Sequence, residues 1–262
     1  MTSLVDCVKD DTLIGFYLWA YKNVEQVDYI IGRVRDFYPN SDLVISSDNG
    51  EDFSKISNKY GAIKYIHGEV SHGFPKDHPL TRRERFGWTS EEAKIWLERI
   101  YDACLSIKNP FVMIMEEDVL LQSRFKFPDA DIIMMGDSMD GHGIGNPIQS
   151  SGMEWIKSRG GRVDHPYYSA CGGTIINRLT FVDTYEKNIN NFVQEYERVY
   201  QECMEEKKKS GWGWPDCILC VLMYAGDDIS ISTELPIAQV GYDNMDGVPI
   251  VHLFKKFYKK VK

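Results

Sequence analysis

Hydrophobic and polar positions fall into two alternating rhythms along this chain. Thr12 to Tyr21 (TLIGFYLWAY) is apolar almost throughout and predicts a first strand. Val24, Val27, Ile30, Ile31, Val34 and Phe37 then recur at the spacing of one helix face, and Pro39-Asn40 ends that helix. Asp42 to Ser47 predicts a second strand, closed by the turn signal Asp48-Asn49-Gly50. A short helix over Asp52 to Lys59 stops at Gly61, and a third strand follows over Ala62 to His67. The first third of the chain therefore reads as β-α-β-α-β with right-handed crossovers, the pattern of a nucleotide-binding half-sheet.

Gly68 to Gly87 breaks this rhythm with Gly, Pro and His and with Arg82, Arg83 and Arg85. It is longer than idle connections in compact domains and reads as a functional loop. A helix then runs from Thr89-Ser90-Glu91-Glu92 to about Ile107, with Ser90 as the expected cap and early acids suited to the positive helix end. Its predicted buried face is Trp96, Leu97, Ile100, Ala103, Cys104 and Ile107. Next comes an apolar run of strand length opened by Pro110, Phe111-Val112-Met113-Ile114-Met115, which ends abruptly in Glu116-Glu117-Asp118.

The second half is less regular. Asp131 to Met135 predicts a short strand. Gly136 to Tyr168 is rich in Gly, Ser and Asp around a helical piece at Met153 to Lys157, and reads as a mobile or acceptor-facing region. Tyr168 to Ile176 predicts a strand with Gly172 and Gly173 at its centre, where glycines allow a ligand to approach closely. Leu179 to Lys209 predicts two helices, the second long and charged. Pro215 suits the first turn of a helix that continues through Tyr224. Asp227 to Ser232, Pro236 to Val240 and Val248 to Lys255 are extended. No repeat or linker marks a second domain.

Ligands of open α/β sheets bind outside the carboxyl ends of the strands. Three carboxylates at such an end repel one another, and an apolar sheet does nothing to stabilise them. A divalent cation would stabilise them; the other reading is a solvated acidic turn. Composition narrows the partners. A formal net charge of −9 on 262 residues argues against nucleic acid or an anionic membrane as the main partner. The exception is the lysine-rich end, Lys255-Lys256, Lys259-Lys260 and Lys262. No window is long and apolar enough for a membrane span, and the first residues lack a signal-peptide pattern. Six scattered cysteines suggest reduced thiols and a cytoplasmic, soluble protein. The C-x-x-C of Cys217 and Cys220 sits in an apolar helical pattern and reads as a buried structural pair.

Taken in order, these motifs resemble a GT-A type, nucleotide-sugar-dependent glycosyltransferase, similar to the large inverting group that includes chitin and cellulose synthases. The resemblance implies an α/β fold, a Rossmann-like mixed sheet flanked by helices, with a smaller acceptor-side part. It implies one domain over 1–262, with a nucleotide-binding half to about 122 and an acceptor-side half beyond. Ile45-Ser46-Ser47-Asp48 is similar to the strand that ends in a nucleotide-contacting acid. Glu116-Glu117-Asp118 holds the place of the aspartate-x-aspartate motif, with Glu116 replacing the first aspartate. Gly172-Gly173 resembles the glycine strand near the donor sugar. Trp214-Pro215-Asp216 resembles the acid pair that opens a helix, with Pro215 in place of the usual Glu, and makes Asp216 the catalytic base. His252 is placed like the late histidine that joins the metal.

The resemblance implies Mn²⁺ or Mg²⁺ held by Asp118, His252 and Glu116, with the histidine favouring Mn²⁺. The donor is expected to be a UDP-sugar, and the acceptor a carbohydrate hydroxyl. Ala20 and Tyr21 would lie beneath the nucleotide and Asp48 would bond its base or ribose, or else Asp48 is only a turn residue. Arg82 would meet uridine or the diphosphate and Lys255 the diphosphate, or they belong to a solvated loop and a basic tail. Trp212 and Trp214 would stack on the acceptor; alternatively they are core residues and Asp216 is a helix cap. His252 has the alternative of an ordinary half-buried histidine. Two other functions share the scaffold: a sugar-nucleotide nucleotidyltransferase and a non-catalytic glycan- or nucleotide-binding module. The first needs a glycine-rich loop after the first strand, and Ala20-Tyr21-Lys22-Asn23 lacks it.

Overall fold

Two apolar layers sandwich one mixed sheet, because the side chains of its central strands alternate between them. In the computed structural model, residues 3–48, 51–68, 88–134, 147–161, 172–205, 215–239 and 246–253 are described. In chain order the elements are β1 (Leu4–Asp6), β2 (Ile14–Ala20), α1 (Val24–Phe37), β3 (Leu43–Ser47), α2 (Ser54–Lys59), β4 (Lys64–His67) and α3 (Ser90–Ser106). They continue as β5 (Phe111–Glu116), β6 (Val119–Leu121), β7 (Lys126–Pro128), β8 (Ile132–Ile133), α4 (Pro147–Ser158), β9 (Ile175–Asn177) and α5 (Arg178–Glu205). The last are α6 (Pro215–Tyr224), β10 (Ile231–Ser232), β11 (Ile237–Gln239) and β12 (Ile250–His252).

The main sheet has seven strands in the order β10-β8-β9-β5-β2-β3-β4. β5, β2, β3 and β4 are parallel, while β9 runs antiparallel to both β5 and β8. Tyr17 and Trp19 of β2, Val44 of β3, and Val112 and Ile114 of β5 join the layer of α3, α5 and α6. Phe16, Leu18 and Ala20, Leu43 and Ile45, and Met113 and Met115 join the opposite layer, with Val27, Ile30, Ile31 and Val34 of α1. Period-two alternation on doubly buried strands is what the apolar runs encode. Burying one such Ile or Leu contributes about 1.5–3 kcal/mol.

The chain moves outward from β2 through β3 to β4, then returns across β2 to place β5 on its other side. The strand order reverses between β2 and β5, which opens a crevice at their carboxyl ends. A second sheet, β11-β12-β6, lies beside that crevice, with β12 antiparallel to β6 and parallel to β11. A third, small pairing joins β1 to β7.

Several expectations are corrected. The cap of α3 is Thr89, not Ser90: Thr89 Oγ1 accepts from Glu92 N at 3.2 Å, and Glu92 returns a carboxylate to Thr89 N at 2.8 Å. This reciprocal box satisfies two donors that a lone serine would leave open, and Ser90 instead donates to Glu197 of α5. The stretch expected to hold two helices is one 28-residue helix, α5, over its described part. Its polar middle does not break it, because Asn188 Nδ2 donates to Thr184 O and Asn191 Oδ1 accepts from Trp155 Nε1. Gly172 and Gly173 lie in a turn before β9 and not within a strand; a φ of +122° at Gly173 is incompatible with strand geometry. Val24, expected on the apolar face of α1, is 45% exposed at the first turn.

The Thr89 box predicts that Thr89→Ala costs about 1 kcal/mol. Thermal unfolding should show Tm lowered by about 2–4 °C, whereas Ser90→Ala should leave the cap intact.

Candidate active site

Glu116 is the last residue of β5, and the chain turns at once into β6 at Val119. The three acids therefore occupy a tight reversal at the strand-order crevice. Each carboxylate goes a different way. Glu117 is buried, and its Oε2 accepts from Tyr21 N at 2.6 Å and Lys22 N at 3.2 Å. Glu116 and Asp118 share a cluster with His252, in which one possible ligand atom from each residue lies within 4.8 Å of the others.

His252 reaches this place through backbone pairing. It lies opposite Val119 in the antiparallel β12–β6 register, and Leu253 N donates to Asp118 O at 2.8 Å. Its Nε2 then stands 3.3 Å from Asp118 Oδ1. Asp118 is 3% exposed, and its Oδ1 makes no hydrogen bond among the described residues. A buried carboxylate oxygen facing an imidazole nitrogen, with a second carboxylate alongside, suits a divalent cation. Two oxygens and one imidazole nitrogen form a donor set compatible with Mn²⁺ or Mg²⁺.

Gly172 explains why a glycine faces this cluster. A Cβ built there would lie 2.9–3.1 Å from three atoms of the His252 ring. Any side chain at 172 would push the imidazole away from Asp118. Gly172 thus leaves room for the histidine ring, while Gly173 packs against Ile237 and Met113.

The other predicted site residues are distributed as follows. Ala20 is fully buried at the end of β2, and Tyr21 follows it, half-buried, with Lys22 Nζ 4.7 Å above its ring. Asp48 is buried just past β3; its N donates to Ala20 O at 3.0 Å, and its Oδ1 is 2.6 Å from Arg99 Nη1. Arg99, on α3, was not singled out from the sequence because it falls on the apolar face of that helix. Its guanidinium also explains Gly68, where a Cβ would lie 1.9 Å from Nη2. Tyr17 sits close enough to feel both charges, and burial holds its hydroxyl above the ordinary tyrosine range, hence neutral. Arg82, Lys255, Trp212 and Trp214 lie outside the described residues. Asp216 lies in the first turn of α6, and its side chain is outside what is described. Neither Cys217 nor Cys220 forms a disulfide; Cys220 is buried and Cys217 half-buried.

No known family profile matches the sequence, and no curated protein resembles it at the level of sequence. Solved structures do resemble it in fold. An active-site variant of LgtC superposes with a TM-score of 0.52 at 13% identity, covering 90% of this chain and 86% of that one. The galactosyltransferase LgtC in complex with donor and acceptor sugar analogs gives 0.47 at 14% identity, with 90% and 86% covered. Apo glycosyltransferase GlyE of Streptococcus pneumoniae TIGR4 gives 0.47 at 12% identity, covering 91% of this chain and 54% of that one. The fold is GT-A-like. At these identities the likeness concerns the fold alone, and the chemistry must come from the side chains.

Two variants probe this geometry without touching the donor atoms. Gly172→Ala should weaken Mn²⁺ binding about 10–100-fold by calorimetry, as loss of a ligand-orienting contact does. Arg99→Met removes the guanidinium from the buried Asp48 carboxylate and should cost about 3–5 kcal/mol in urea unfolding. The double variant Asp48→Asn, Arg99→Met should recover part of that loss.

Proposed function

We propose that this protein is a metal-dependent glycosyltransferase that moves a sugar from a nucleoside diphosphate donor, a UDP-sugar, to a hydroxyl of a carbohydrate acceptor. The observation that carries the reading is the gathering of Glu116, Asp118 and His252 at the crevice where the strand order reverses. That is where an α/β sheet takes a nucleotide. A divalent cation held there supplies neutralisation of the charge that grows on a diphosphate leaving group.

The chain's own residues divide the remaining work. Ala20, Tyr21 and Asp48, at the ends of β2 and β3, form the nucleoside side, with Arg99 fixing Asp48. Gly172 and Gly173 are assigned to the donor-sugar side, and Arg82 and Lys255 to the diphosphate. Trp212 and Trp214 are assigned to the acceptor sugar, whose ring faces stack on aromatic rings. Asp216 is the base. As the acceptor oxygen bonds to the anomeric carbon and the bond to the diphosphate breaks, the hydroxyl proton passes to the Asp216 carboxylate. Attack from the face opposite the leaving group inverts the anomeric centre. The division of 1–262 into a nucleotide-binding half and an acceptor-side half belongs to the same proposal.

One observation favours transfer of a sugar over synthesis of a sugar nucleotide. A triphosphate-cradling loop after the first strand offers main-chain N–H groups to phosphate. Here the N–H groups of Tyr21 and Lys22 are taken by Glu117. A binding module without catalysis would keep nucleotide affinity and show no turnover.

The test is hydrolysis of a panel of nucleotide sugars, read as released nucleoside diphosphate with Mn²⁺ and with chelator. Release from one donor should require the metal and fall more than about 100-fold in Asp118→Ala, as loss of several kcal/mol of charge stabilisation demands. Absence of any metal-dependent nucleotide binding by calorimetry sinks the reading. Once an acceptor is found, the anomeric configuration of the product by NMR checks Asp216, since retention would remove it from the role of base.

A further inference from the structure

Glu117 is the acid of the turn that is not part of the Glu116–Asp118–His252 cluster, and among the described residues three of its hydrogen bonds run to a single corner of the fold. Its Oε2 holds Tyr21 N at 2.6 Å and Lys22 N at 3.2 Å. Its main-chain oxygen accepts from Gln26 Nε2 at 2.6 Å. Gln26 is itself bound twice to Asn23, the cap of α1: its N donates to Asn23 Oδ1, and its Oε1 accepts from Asn23 Nδ2, both at 3.1 Å. The loop from Tyr21 to Asn23 is therefore fixed to the β5–β6 turn by a buried, charged acceptor. The same turn is fixed to β12 through Asp118 O and Leu253 N at 2.8 Å.

From this geometry we infer that Glu117 is a positioning residue. It sets the β2–α1 loop, which carries Tyr21, in register with the cation ligands on either side of it, so that nucleoside and diphosphate ends of one ligand meet a single rigid frame. The inference rests on the proposed function, because it gives that loop a nucleoside to hold. The physical argument is the length of the connection. Glu116 and Asp118 are covalent neighbours of Glu117, so a shift of a few tenths of an ångström in the turn moves both ends together. Without the carboxylate, the two N–H groups would turn to water and the loop would move independently of the cluster. Hydrogen bonds from backbone N–H groups to a buried carboxylate are among the stronger ones in proteins.

The experiment compares wild type and Glu117→Gln, which keeps shape and one acceptor oxygen but loses the charge. Three probes are titrated: UMP with chelator, Mn²⁺ with pyrophosphate, and UDP with Mn²⁺. The expected result is about tenfold weaker UMP and UDP binding, with Mn²⁺–pyrophosphate affinity within about twofold of wild type. In turnover, KM for the donor should rise while kcat holds. In a Tyr21→Ala background, Glu117→Gln should add no further loss of UMP affinity. Gln26→Met, which cuts the other strand of the tie and leaves the carboxylate in place, should weaken UMP in the same direction by a smaller factor. Equal losses for UMP and Mn²⁺–pyrophosphate, the mark of a general loosening, overturn the inference. So does loss confined to Mn²⁺–pyrophosphate, or unchanged UMP affinity in both variants. Failure of the wild type to bind UDP with Mn²⁺ removes the proposed function itself, and with it this inference.

Discussion

Three consecutive carboxylates at the end of a strand buried on both faces cannot all remain bare anions. Their mutual repulsion and the apolar layers on either side penalise the charged forms together. The fold answers by giving each side chain a different environment. Glu117 turns inward and is neutralised by two backbone donors of the β2–α1 loop. Asp118 turns toward His252, and Glu116 sits beside them, half-buried. Glu116 and Asp118, two residues apart, meet on one side while Glu117 between them faces the other, as alternation along the chain gives. Much of the crevice depends on the short turn that follows β5: β6 is laid against β12, and β12 brings the histidine.

The same logic extends to the next strand ends. Asp48, one residue past β3, is as buried as Asp118 and is held by Arg99 from the apolar face of α3. A buried ion pair is weak evidence of stability gained, since desolvating both charges costs several kcal/mol. It does fix where the carboxylate sits. Asp48 N also bonds to Ala20 O, so the ends of β2 and β3 are joined there by the backbone as well. The carboxyl end of the sheet is thus held by polar contacts, and the strands beneath it by apolar packing.

How much of this was legible in the sequence depends on the distance over which each contact acts. The helix over Val24–Phe37 and the strands around β2, β3 and β5 were legible because periodicity is local, and a doubly buried strand advertises itself as an apolar run. Glu116, Asp118 and His252 were legible as residue types in an order, and the fold brings them together. β1, β6 and β7 were not, because strands of three residues carry too little pattern to stand out from turns, and each pairs with a segment remote in the chain. Arg99 was missed because a charge on an apolar helix face has meaning only beside its partner, and Asp48 lies on another element. Gly172 carried a signal, a paired glycine, but its reason is the ring of His252, far along the chain.

The separation of tasks within the turn also explains why its middle residue resembles its neighbours in type. A glutamine or serine at 117 would offer the β2–α1 loop a neutral acceptor, weaker than a carboxylate inside an apolar layer. A carboxylate is better there only if it is kept from competing for the cation, and commitment of Oε2 to two N–H groups does that. The acidic triplet is then two functions sharing one stretch of backbone. Glu116 and Asp118 face His252, and Glu117 holds the β2–α1 loop. Because the three are covalently adjacent, the β2–α1 loop is tied to the same turn that carries Glu116 and Asp118.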